Sequence, residues 1–145
     1  MYVDLYVAAL WNISRIARCL LITLILRLSG ILNEDVDHDV DRQEALRLGE
    51  DMLASIPYLL SEDLQDFLRD RANHTEIKNP GPPAGGLLLM HSIYIASRLD
   101  LFPSEMRDYL KTCLIWIGRR MGIGQAALLA HVCVPIFFFF FFWQS

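Results

Sequence analysis

The stretch from Gly85 to Ala130 constrains the fold more than any other part of the chain, because it divides into helices whose ends can be read from residue chemistry. After the Gly85-Gly86 pair, the residues Leu87, Leu88, Leu89, Met90, Ile93, Tyr94, Ile95, Ala96 and Leu99 leave only a narrow polar edge at His91, Ser92, Ser97 and Arg98. A helix that is apolar on nearly all sides has to be covered on nearly all sides, so this one is expected at the centre of a bundle. Pro103 lacks an amide hydrogen and punctuates the chain. Ser104 offers an oxygen to the orphan N–H groups beyond it, and Glu105 stands where the helix dipole favours a negative charge. The spacing predicts a second helix from Ser104, with Met106, Tyr109, Leu110, Cys113, Leu114, Ile117 and Met121 inward and Arg107, Asp108, Lys111 and Arg119 outward. Gly122 and Gly124 stop it, one of them at a left-handed position.

These blocks come in a fixed order: GGLLLMH, a proline-started helix closing in CLIWIG, then MGIGQAALLA. The order resembles the C-terminal part of the regulatory region of fungal binuclear-zinc-cluster transcription factors. The resemblance is carried by Gly85 to His91, Ala96 to Leu99, Pro103, Tyr109, Cys113, Leu114, Trp116 to Gly118 and Met121 to Gln125, and more loosely by Ala8 to Asn12, Arg15, Ala17 and Arg18. It implies an all-α regulatory-region fragment that acts in the nucleus through protein contacts, with the remaining helices of a parent region or another protein as partner. In some members of the family a small-molecule signal takes part. Zinc would belong to the family's six-cysteine N-terminal cluster. Here only Cys19, Cys113 and Cys133 occur, far apart and with no C-x2-C pair, so no metal or cofactor is expected.

A chain of 145 residues, 54% hydrophobic, is enough for one domain with a buried core. Its net charge of -4 argues against direct nucleic-acid binding, which needs a surplus of Lys and Arg on one face. The acidity is concentrated between Glu34 and Asp70, where twelve acids stand against Arg42, Arg47 and Arg69. Two short helices are expected there, 41–55 and 61–71, separated by Pro57 and followed by a Pro/Gly loop over 73–86. The expected architecture is an irregular bundle of about five to six helices over residues 1–130, ahead of an aberrant tail at 131–145.

The first helix is expected over about 2–28. Tyr6, Leu10, Ile13, Ala17, Leu20 and Leu24 recur at alternating steps of four and three and define the face expected to pack, while Asp4, Asn12, Arg15, Arg18 and Thr23 define the wet side. A membrane span is not expected, since each central arginine would cost about 2.5–3.5 kcal/mol on insertion. Nor is a secretory signal, because the only early charge is Asp4. Trp11, Trp116 and Tyr109 are expected to anchor the core.

Three sites can be proposed from motifs, and each meets a chemical objection. The alternating Asp35, Asp37, Asp39 and Asp41 mimic the start of a calcium loop, but Arg42 and Leu48 occupy the positions that need glycine and a bidentate glutamate. They are expected to be a solvated helix start. Gly122 to Ala127 fits G-x-G-x-x-A but follows a helix instead of a strand. His38, His74, His91 and His131 lie in separate segments without metal-ligand spacing. His91 is the one candidate for an effector or packing contact, expected as a core histidine bonded to a neighbour or as a ligand contact in an inter-helix cavity. No catalytic residues emerge, and a non-enzymatic role is expected. The tail contains Phe137 to Phe142, and the stretch 126–143 is a borderline candidate for a membrane anchor, the alternative to the regulatory reading.

Overall fold

The computed structural model describes residues 5–32, 37–60 and 83–131. They form five α-helices: α1 (Leu5–Leu32), α2 (Asp39–Leu60), α3 (Pro83–Ala96), α4 (Ser104–Arg120) and α5 (Gly124–His131). No strand occurs among the described residues, and the all-α expectation holds. The expected helix over 61–71, most of the expected loop and residues 132–145 lie outside the described residues.

The central position of α3 follows from its composition. It touches each of the other four helices. Leu89, Met90, Ile93, Tyr94 and Ala96 are buried there against Leu48, Met52, Ile56, Leu59 and Leu60 of α2 and Leu110, Leu114 and Ile117 of α4. The helix begins at Pro83, not after the glycine pair: Pro83 sits in the first turn, where its missing N–H costs no helical bond. Gly85 and Gly86 are therefore inside a helix, and the reason is steric. A Cβ on Gly85 would fall on the Leu59 carbonyl oxygen, and one on Gly86 would press on Met121 and Ile117. Gly85 lets the start of α3 meet the backbone at the end of α2, and Gly86 lets it lie against the Ile117 and Met121 side chains.

Beyond Ala96 the chain turns tightly, with Arg98 N–H donating to the Ile95 carbonyl and Leu99 N–H to that of Ala96. Leu99 and Phe102 plug this turn into the core. Ser92 and Ser97, expected on the polar edge, are buried, and the Ser97 hydroxyl donates to the Tyr94 carbonyl at 2.7 Å. A serine whose hydroxyl returns to its own helix enters a core with no unmet hydrogen bond, so hydropathy alone misplaces it.

Helix α4 starts at Ser104 as expected, and Leu110, Cys113, Leu114 and Ile117 are buried. The cap differs. Pro103 is the N-cap, its carbonyl accepting from Arg107 N–H, and no side chain caps the helix. Gly122, at φ 73°, supplies the left-handed residue after Met121. Helix α5 then folds back on α4 where Gly118 leaves room for Ala127.

The first helix expected in the acidic region, 41–55, is longer at both ends and runs from Asp39 to Leu60. Pro57 lies inside α2, buried in its last turn. Proline inside a helix removes one backbone bond at a cost of about 3 kcal/mol, and the burial of Ile56, Leu59 and Leu60 around it offsets that loss. Asp39 and Asp41 occupy the first turn, and Asp37 accepts the Asp39 N–H at 2.9 Å, so the acidic run starts a helix as expected. Among the described residues no helix is long and apolar enough to cross a membrane, and most of the stretch 126–143 lies outside them.

Two glycines separate packing from propensity. Gly85→Ala is expected to lower stability by about 2 kcal/mol or more, since backbone must move to admit the methyl. Gly30→Ala, where nothing lies within 4 Å of the added Cβ, is expected to raise it by about 0.5–1 kcal/mol. Urea melts of the two variants check both signs.

Candidate interaction surface

Helix α1 has two unlike faces. The inward face carries small and polar residues: Ala8, Ala9, Asn12, Ile16, Cys19, Ile22 and Ser29. The outward face carries the stripe that sequence periodicity identified, but turned away from the chain's own core: Leu10 is 69% exposed, Ile13 60% and Leu24 46%. Of fourteen exposed large hydrophobic residues among those described, eleven are on α1. The expected packing face and the expected wet face are thus largely exchanged, Asn12 turning inward while Arg18 stays exposed and Leu20 stays packed against the core, and Trp11, expected in the core, is on the surface. The helix that carries Leu87 to Leu99 is surrounded by its neighbours as expected, with Leu87 left exposed, and α1 holds most of the exposed apolar surface among the described residues.

The exchange has a polar cause. Asn12, wholly buried, donates from Nδ2 to Ser55 Oγ at 2.8 Å. The Ser55 hydroxyl lies 2.7 Å from the Met52 carbonyl, to which it donates. Arg15 donates to Asn12 Oδ1 at 3.0 Å. Each polar atom of this chain of bonds has a partner, which makes its burial tolerable and fixes which face of α1 meets α2. Ala8 and Ala9 keep that contact close. An Asn–Ser pair separated by 43 positions leaves no periodic trace, so sequence reasoning placed Asn12 in water.

At the rim, Arg18 Nη2 meets Glu44 Oε1 at 2.6 Å and Arg47 Nε meets Glu44 Oε2 at 2.9 Å. The hydrogen bond from Arg47 holds the Glu44 carboxyl below the ordinary carboxylate range, and the charges of Arg47 and Arg18 add to it. Deeper in, burial pushes the Cys19 thiol up to about 11, as for an inert packing thiol.

The remaining candidates do not converge on a reactive site. His91 is exposed on α3, so neither the core position nor the inter-helix cavity expected for it is realised. Cys113 is buried in the core stripe of α4. Tyr109 and Trp116 pack against the core from partly buried positions. His38 Nδ1 pairs with Asp41 at 3.1 Å beside the start of α2. Gly122 to Ala127 joins two helices. No group of three or more metal-ligating side chains occurs among the described residues.

This geometry defines a helical packing module whose distinctive surface is an apolar helix face. Compared with known proteins, the chain is 54% identical over 129 residues to the transcription factor dbaG of Emericella nidulans. The match takes in 89% of this chain and 31% of that protein, so the chain spans about a third of the relative's length. At this identity the two are homologous, and the chain is similar to part of a fungal transcription factor. No protein-family model matches the chain, and no solved structure matches it.

Two outcomes follow from the α1–α2 contact. Ser55→Ala is expected to cost about 1–3 kcal/mol, because the buried Asn12 amide loses its acceptor. Removing Asn12 as well should cost less than the two single losses together, as a double-mutant cycle by thermal melting will read. Glu44, with a folded pKa held below its unfolded value, adds stability above the unfolded carboxylate pKa that is lost as pH falls through the folded one. Arg47→Gln should therefore melt with a shallower fall in acid than the parent chain, read from melting temperatures across the carboxylate range.

Proposed function

We propose that the chain is a non-enzymatic part of the regulatory region of a fungal transcription regulator of the binuclear-zinc-cluster type, working in the nucleus through protein contacts. The observation that carries this reading is the identity to a transcription factor along most of the chain, joined to a surface whose apolar residues are gathered on one helix face. Contiguous apolar surface of that kind marks contact sites for other proteins. The acidic balance and the three scattered cysteines support leaving DNA reading to a zinc cluster outside these residues. An effector contact at His91 would be a surface contact on α3, not a ligand enclosed among helices.

The test is transcriptional. Fused to an unrelated DNA-binding domain at a reporter promoter in a fungal host, the chain should change expression. Leu10→Glu with Leu24→Glu should reduce that change strongly, since the loss of two apolar contacts from one face costs roughly tenfold or more in affinity. Val40→Glu, exposed on α2, should leave it unaltered. A fusion that reaches the nucleus and never alters the reporter would sink the proposal.

A further inference from the structure

We propose that the outer face of α1 is a self-association surface, on which α1 of a second copy of this chain packs antiparallel. The inference rests on the reading of that face as a contact surface and names its occupant.

Three observations favour a second copy. The first is the order of the stripe. Leu10, Ile13, Ala17, Leu24, Leu28 and Ile31, with Leu20 and Leu21 at the middle, are spaced alike read from either end. Turning one helix end for end sets position 10 beside 31, 13 beside 28 and 17 beside 24. A two-fold contact requires such self-complementarity, residue i meeting j while j meets i.

The second is charge. Helix α1 has Arg15, Arg18 and Arg27 and no acidic residue. Parallel packing would set each arginine position against its own copy. The antiparallel arrangement sets 27 beside Ser14 and 18 beside Thr23, so like charges are kept apart. Arg18 also remains paired with Glu44 of its own chain.

The third is size. From Leu10 to Ile31 the stripe runs about 32 Å along the helix. Along that length Leu10, Ile13, Leu21, Leu24, Leu28 and Ile31 are 46–75% exposed, a continuous apolar strip of the kind that fills the core of a standard interface of about 800 Å² a side. Ala17, set beside position 24 of the second copy, is small and exposed and leaves room for that leucine.

Disulfide trapping on the full chain tests this, read as a band at twice the chain mass on a non-reducing gel, with the parent chain giving the background from Cys19, Cys113 and Cys133. Leu21→Cys lies beside the two-fold and should trap with its own copy. Leu10→Cys and Ile31→Cys should each stay at background alone and trap when mixed, since only antiparallel packing joins the two ends. Ala54→Cys, exposed on α2, should stay at background. Trapping by each end variant alone would mean parallel packing, a ladder above the dimer would mean unspecific association, and no band from Leu21→Cys would mean that something else covers the face. Any of these overturns the proposal. If the reporter still responds to Leu10→Glu with Leu24→Glu in that case, the contact surface stands and only its occupant is wrong.

Discussion

The burial of α3 by all four other helices is the constraint on which the rest of the structure depends. Its buried side chains face in several directions around the helix axis, so α2, α4, α1 and α5 must surround it. Such enclosure requires close approach at the start of α3, where the end of α2 and the inner face of α4 converge. Gly85 and Gly86 make that approach possible, since a methyl group at either position would meet Leu59 backbone or the Ile117 and Met121 side chains. The turn closed by Leu99 and Phe102 then returns the chain so that α4 can pack alongside.

With α3 enclosed, α1 has one face inward, and the smaller face is the one that fits. Ala8, Ala9 and Cys19 keep it near α2, and the Asn12–Ser55 bonds fix its rotation. Turning α1 to bury Leu10, Ile13 and Leu24 would strand Asn12, leave Ser55 short of a partner and push large side chains into a narrow contact. Hydrophobic burial is thus outweighed locally by fit and by hydrogen bonds that cannot be left unmade. The consequence is functional: apolar surface that the chain does not use for itself is presented along one straight edge, where another protein can take it.

A stretch of the fold was legible in the order of residues. The central role of 87–99, the start of a helix at Ser104, its inward stripe and the glycine stop at Gly122 each follow from local chemistry, and the structure has them in place. Proline was a poorer guide. Pro57 falls in the last turn of α2, where one lost bond is tolerable amid buried neighbours, and Pro83 opens a helix instead of breaking one. His91 was misjudged because a polar edge one residue wide can face water or core equally well, and the neighbouring Ser92 took the inward place.

What the sequence determined by itself was the presence of the five described helices and the spacing of their apolar stripes, because hydrophobic period and chain-breaking residues act within a few positions. Only the tertiary structure decided which way each stripe faces. That choice rests on contacts between residues far apart in the chain: Asn12 with Ser55, Gly85 with Leu59, Gly118 with Ala127. Such pairs decide by shape and hydrogen-bond geometry, and neither leaves a periodic mark in the order of residues.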